Sequence, residues 1–150
     1  MADDAGFTLL ETVCVVAIVA MIAAVLLPMM PRGTSRARLE AYAIEAAALL
    51  KTDRSAALRR HAEVVTLIDA ARRALRSGAS GRVLRLPDDV VFSAVLPEVC
   101  NQRPAFSTIS FFPSGLSCGG AIALTRNGAG YEIKVNWLTG GIELVSRPAS

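Results

Sequence analysis

The sequence predicts an α+β protein: a long N-terminal helix, of membrane length in its first part and amphipathic in its second, packed on a C-terminal antiparallel β domain. Three observations predict it. Val13 to Met30 is a run of 18 residues without a charge. A stretch ending near Arg60 follows, in which apolar residues recur at helical spacing. After residue 61, short β-prone runs alternate with turn residues.

The apolar run comes first in the chain. At the α-helical rise its 18 residues span roughly 27 Å, close to a bilayer core of about 30 Å. Adding Phe7–Thr12 lengthens the span and places Glu11 inside it. The rest of the 150-residue chain is too small to wrap an all-apolar helix as a core element. A removable secretory signal is also a poor fit. The start, MADDAG, is acidic where a signal is basic, the apolar centre is too long, and the run ends in LLPMMPRG. Pro28, Pro31 and Gly33 then mark a weak point in the helix.

Thr34 or Ser35 can cap the second helical segment, which runs to about Arg60. Its apolar face is Leu39, Tyr42, Ala46, Leu49 and Leu50. Strands are predicted near 62–68, 71–76, 82–86, 90–95, 108–112, 120–125, 130–137 and 141–146. Asn127-Gly128 and Thr139-Gly140-Gly141 lie between strands and suit tight hairpins. The C-terminal half therefore reads as an antiparallel meander packed on the helix.

Glu11 poses a physical question, because a carboxylate at hydrocarbon depth normally needs a partner. The first 31 positions contain no basic residue, so the cation within reach is an amino terminus. If the chain were cut after Gly6, Phe7 would carry a new ammonium at the membrane edge. Within one helix that group is poorly placed to meet Glu11. The Phe7 ammonium of a neighbouring helix, shifted along the axis, would pair well. Glu11 thus makes sense as a register device between packed helices.

The segment GFTLLETVCVVAIVAMIAAVLLP resembles the type IV prepilin signature shared by type IV pilins and type II secretion pseudopilins. Gly6 matches the residue before the cut, Phe7 the first mature residue, and Thr8-Leu9-Leu10 with Glu11 the positions that follow. The resemblance implies cleavage between Gly6 and Phe7 by the prepilin peptidase, N-methylation of Phe7, and assembly through the helix with Glu11. Pro28 fits the same pattern. The leader departs from the family's usual basic character, carrying Asp3 and Asp4. Arg32, Arg36 and Arg38 beyond the span would, by the positive-inside rule, place that end in the cytoplasm; the family places it on the other side.

The run FFPSGLSCGGAIALTRNGAGYEIKVNWLTGGIEL resembles the C-terminal domain of the GspH/FimT family. Phe112-Pro113-x-Gly115, Gly119-Gly120 and Val135-x-Trp137-Leu138-Thr139-Gly140 carry the likeness. Upstream, DRSAALRRHAEVVTLID and LPDDVVFS resemble that family's helix end and first strands. The fold implied is type IV pilin-like, with 1–6 as leader, 7–31 as transmembrane and assembly helix, 32–60 as its amphipathic continuation, and 61–150 as a periplasmic β domain. In the DNA-binding FimT branch a Gly-Arg-x-Arg turn lies near the C-terminus. Here the stretch is Gly140-Gly141-Ile142-Glu143, which favours the H-type minor pseudopilin of type II secretion over a minor type IV pilin. The implied setting is the Gram-negative inner membrane, crossed once. The implied partners are the prepilin peptidase, major and other minor pseudopilins, the inner-membrane secretion platform and membrane lipid. Nucleic acid is not an expected partner. The net charge of +3 comes from 14 arginines and 2 lysines set against 13 acids, scattered rather than gathered into a polyanion-binding run.

Catalysis, metals and cofactors are not expected. Gly115-Leu116-Ser117-Cys118-Gly119 matches the nucleophile-elbow pattern, but that elbow needs a strand–turn–helix setting with a histidine after the serine. The single histidine, His61, lies upstream at a helix end beside Arg59 and Arg60. No Cys/His/Asp cluster has metal spacing. Cys14 sits in the span as a small apolar residue. Cys100 and Cys118 fall in the domain that the resemblance places in the oxidising periplasm, where they could form a disulfide; the alternative is two buried free thiols.

Overall fold

The computed structural model describes residues 8–26 and 33–148. The chain divides into two compact units after Gly33. Among its described residues the first contains one helix, α1 (Leu9–Leu26). The expected span, 7–31, extends past the described residues at both ends, as do Gly6, Phe7, Pro28 and the predicted weak point as far as Arg32. Among the described residues no helix is by itself long and apolar enough to cross a membrane.

The second unit opens with α2 (Arg36–Arg60). Of the two candidate caps, Ser35 is the one used: its hydroxyl accepts the Arg38 N–H, the geometry that satisfies an orphan donor of the first turn. The helix stops at His61, which adopts φ 50° and returns its N–H to Ala57 O, a left-handed C-cap. Leu39, Ala46, Leu49 and Leu50 are buried as the spacing predicts, with Tyr42 partly so. Ala43, Ala47, Ala56 and Ala57 join them. Small side chains on this face let the helix backbone lie close to the strands.

Ten strands follow. They are β1 (Val64–Asp69), β2 (Ala74–Arg76), β3 (Val83–Arg85), β4 (Val91–Val95), β5 (Val99–Cys100), β6 (Arg103–Pro104), β7 (Thr108–Phe111), β8 (Gly120–Arg126), β9 (Ala129–Val135) and β10 (Ile142–Arg147). The expected single meander is corrected here. There are two four-stranded antiparallel sheets, ordered β3-β2-β1-β7 and β10-β9-β8-β4, and a separate β5-β6 ribbon. Consecutive hairpins build β1-β2-β3 and β8-β9-β10. Long-range pairing then adds β7 beside β1 and β4 beside β8. Non-local pairing of this kind leaves no mark on local pattern.

Alternation along each strand supplies the core. Val64, Thr66 and Ile68 of β1, Leu75, Leu84, Ile109 and Phe111 are buried on one sheet. Phe92, Ile122, Leu124, Tyr131 and Ile133 are buried on the other. In the second sheet Ile122, Ile133 and Leu144 form a cross-strand row. Together with the α2 face they make one apolar cluster.

The eight predicted strands are all present, with boundaries trimmed by turns. The segment before β2 becomes a turn because Asp69 Oδ1 accepts the Arg72 N–H at 2.9 Å and Arg73 takes φ 48°. Trp137, predicted inside a strand, lies past the end of β9. Asn136 Oδ1 accepts the N–H of Leu138 and Thr139, a side-chain turn that ends the ladder. The Asn127-Gly128 hairpin is as expected, with both residues at positive φ, 52° and 81°, the backbone of a type I′ turn. The β5-β6 ribbon was not foreseen. Its turn uses Asn101 and Gln102, at φ 49° and 63°, without the glycine that usually signals such a turn.

Candidate functional site

Two surfaces hold the residues singled out by sequence. The first is α1, whose side chains from Leu9 to Met21 are exposed. Glu11 is the only charged residue of the helix. It also lies where the local fold favours it. Thr8 Oγ1 accepts the Glu11 N–H at 3.3 Å, and Thr8 O accepts it at 3.0 Å. Thr8-Leu9-Leu10-Glu11 therefore has the spacing of a capping box, with the Thr8 half formed. A carboxylate in the first turn also meets the positive end of the helix dipole. The sequence reading missed this second reason for an acid at position 11, although the T-x-x-E pattern was there to find. Cys14 is on the same exposed helix as a free thiol.

The second surface gathers the glycine-rich segments of the β domain. Residues 112–119 and 136–141, far apart in sequence, are joined by Ser117 N–H donating to Trp137 O at 2.9 Å. Phe112 N–H donates to Leu116 O, and Gly115 N–H to Phe112 O, closing the first loop on itself. Gly140, at φ 60°, seats against the other loop. A Cβ there would lie 2.4 Å from Gly115 O and 2.9 Å from Arg54 Nε, so only glycine fits. Arg54 of α2 donates to Thr139 O at 3.0 Å and ties this turn to the helix.

Cys100 and Cys118 are joined in a disulfide with Cα atoms 5.7 Å apart. The bond fastens the β5-β6 ribbon to this loop pair. Beside it opens a cleft of about 540 Å³ lined by Val99, Phe112, Leu116, Cys118 and Trp137, without a charged residue. Trp137 is 66% exposed and the adjacent Leu138 57%. Ser117, the serine of the elbow-like motif, is buried and accepts the Gly119 N–H at 2.8 Å. Strand β8, not a helix, follows it. His61 is exposed at the end of α2. Among the described residues no three His, Cys, Asp or Glu side chains converge as a metal site.

Two polar anchors hold the domain, and neither was legible in sequence. Asp53 of α2 is fully buried. Thr66 Oγ1 donates to it at 2.6 Å, Ser77 Oγ also donates, and the N–H groups of Gly78 and Ala79 donate at 3.1 Å each. Four donors satisfy the carboxylate and tie α2 to β1 and to the turn after β2. The other anchor is Asp89, which accepts the Thr34 N–H at 2.6 Å and the Thr34 hydroxyl at 2.7 Å. Arg126 Nε lies 3.0 Å from the same carboxylate and its guanidinium also donates to Thr34 O. The Thr34 hydrogen bonds, first from the backbone and then from the side chain, hold Asp89 below the ordinary carboxylate range; Arg126 adds to them and partial desolvation opposes.

The comparisons with known proteins agree with this architecture. The prokaryotic N-terminal methylation motif matches residues 1–27. No curated protein matches the sequence significantly. Among solved structures, the chain is similar to the minor pseudopilin EpsH of the Vibrio cholerae type 2 secretion system. The TM-score is 0.57 at 13% identity, over 72% of this chain and 96% of that one. A second EpsH structure gives a TM-score of 0.58 at 12% identity, over 75% and 96%. The type IV minor pilin FimU of Pseudomonas aeruginosa PAO1 gives 0.57 at 18% identity, over 77% and 97%. The methylation motif and the α+β architecture are together those of a type IV pilin-like fold. The solved structures that share this fold are minor pilin and minor pseudopilin subunits.

Proposed function

We propose that the chain is an H-type minor pseudopilin, a structural subunit at or near the tip of a type II secretion pseudopilus that supports protein export across the outer membrane. The observation that carries the reading is α1. An exposed apolar helix with a single carboxylate in its first turn, inside a methylation motif, is built to pack among lipids and other such helices. On this reading the prepilin peptidase cuts between Gly6 and Phe7, the Phe7 amine is methylated, and the chain sits in the inner membrane with its β domain in the periplasm. Glu11 then neutralises the Phe7 ammonium of the adjacent subunit. The uncharged platform at Trp137 and Leu138 supports subunit contact as well, because an exposed apolar patch of this kind marks an interaction surface.

A minor type IV pilin of the FimT kind, serving pilus assembly or DNA uptake, is the second reading. The similarity to FimU favours it. Against its DNA-binding form stands the turn at Gly140-Gly141, which carries no arginine side chain. The cation beside that turn, Arg54, is already bonded to Thr139 O. Deletion in the native host separates the two readings: lost secretion with intact pili supports the first, lost piliation or uptake with intact secretion the second.

The role of Glu11 is tested by Glu11→Gln and Glu11→Val. Both variants are expected to enter the membrane with a folded β domain, yet fail to crosslink to neighbouring subunits in cells. An ammonium left buried without its partner costs several kcal/mol, on the order of 3 or more. Wild-type crosslinking by Glu11→Val would refute the register role and leave helix capping as the reason for the acid.

A further inference from the structure

The outer face of the first sheet carries a second feature, away from the disulfide platform. A groove of about 630 Å³ runs along it, lined by Leu67, Phe106 and Val83 and by Arg72, Arg76 and Arg85. Phe106 is 71% exposed. Asp69, the one acid in the lining, is engaged by Arg72 at 3.6 Å. Among the described residues no carboxylate lies within ion-pair distance of Arg76 or Arg85. Register pairs Arg76 with Val83, and Ala74 with Arg85. The two guanidiniums are therefore diagonal neighbours on adjacent strands of one face.

The same groove ends at an open sheet edge, since β3 is the terminal strand of its sheet. Arg82 O accepts from Ser77, and Leu86 N–H donates to Arg73 O. These inward bonds fix the alternation of the strand, so Val83 and Arg85 turn their backbone N–H and C=O toward the open edge. The residues that offer backbone pairing thus also offer their side chains to the groove.

We infer that the β3 edge is a docking site for an extended acidic segment of a partner protein, added as a further strand with carboxylates at alternate positions facing Arg76 and Arg85. Charge complementarity selects an acidic occupant. The edge selects a polypeptide, because alternating donors and acceptors at strand spacing are met by another backbone and not by a phosphate chain. Leu67 and Val83 share the face of the two arginines and form the apolar floor beneath the facing side chains, while the intervening side chains of the added strand turn to the opposite face of the sheet. The inference goes beyond the assembly reading and does not rest on it.

The test uses the full chain in detergent micelles and a capped peptide of alternating aspartate and valine, with the lysine–valine peptide as control. Binding is followed by backbone amide shifts. The aspartate peptide is expected to shift Val83, Leu84 and Arg85, and the lysine peptide to leave them unmoved. Arg76→Gln with Arg85→Gln should weaken binding at least about tenfold, since each removes a charge pair at an otherwise unchanged edge. Val83→Pro removes an outward N–H and no ladder bond, and should weaken it similarly; an unchanged amide spectrum elsewhere shows that the fold is kept. The inference is overturned if the aspartate peptide does not bind, or if both peptides bind alike. Insensitivity to the arginine pair would overturn it too, as would single-stranded DNA or anionic vesicles occupying the arginines in place of the peptide.

Discussion

The N-terminal helix and the domain that begins at Thr34 use acidic residues in opposite ways. Glu11 is exposed, lies in the first turn of an apolar helix, and is aided locally by Thr8 and the helix dipole. Asp53 is buried in the middle of α2 and receives four hydrogen bonds from two other segments, β1 and the turn after β2. The first carboxylate is explained locally by its own turn, with Thr8 as the cap. The second has meaning only once β1 and the turn after β2 have arrived. On the proposed reading the loss of Glu11 leaves the domain's stability alone, whereas the loss of Asp53 removes four hydrogen bonds inside it.

That contrast can be broken first at Asp53. Asp53→Ala strands two buried hydroxyls and two N–H groups, and is expected to destabilise the domain by about 3 kcal/mol or more. Denaturant unfolding measures this. Glu11→Gln in the same assay should leave the domain's midpoint unchanged, and an equal loss in both variants would erase the distinction between the two acids.

Next in size is the disulfide. Cys100 and Cys118 are 18 residues apart, and removing their bond should cost about 3 kcal/mol in the chain-entropy account. Protein taken from the native host without reductant should label at these positions only after reduction, while Cys14 stays a free thiol throughout. Free labelling of both in unreduced, denatured protein would refute the bond in the cell.

Gly140→Ala comes third. A side chain at φ 60° carries a left-handed penalty of about 1–2 kcal/mol, and the Gly115 O contact adds to it. Gly141→Ala, a neighbour without a positive φ, is the control. Equal melting temperatures for the two variants would show that the loop pair relaxes freely.

The smallest effect is at Asp89, and it is distinguished by pH. Its folded pKa is depressed. Its contribution to stability is therefore fully present above the unfolded value of about 3.9 and is lost as pH falls through the lower folded value. Asp89→Asn should narrow the stability difference from wild type only below about pH 4. A difference that instead changes between pH 5 and 8 would point to another group.

Much of this architecture could be read directly. The 18-residue uncharged run, the face through Leu39, Ala46 and Leu50, and the alternation in β8 and β9 follow from periodicity, which is local. Asn127-Gly128 announced its turn because those residues tolerate positive φ. Asn101-Gln102 did not, because glutamine gives no such signal, and so the β5-β6 ribbon was missed. The prepilin motif located Gly6, Phe7 and Glu11 without any structure, and Gly6 and Phe7 lie outside the described residues.

What the sequence determined by itself, then, was the apolar N-terminal helix, the presence and approximate place of eight strands, and the motif at the N-terminus. All of these depend on residues within a few positions of one another. Only the tertiary structure decided that the strands form two sheets rather than one meander, with β4 beside β8 and β7 beside β1. It likewise decided that Asp53 and Asp89 are anchors, and that β3 is left with an open edge. Each of those facts is a pairing across tens of residues. Hydrogen bonds and charge pairs of that kind are chosen by which segments come within about 3 Å, and that is set by the packed core as a whole.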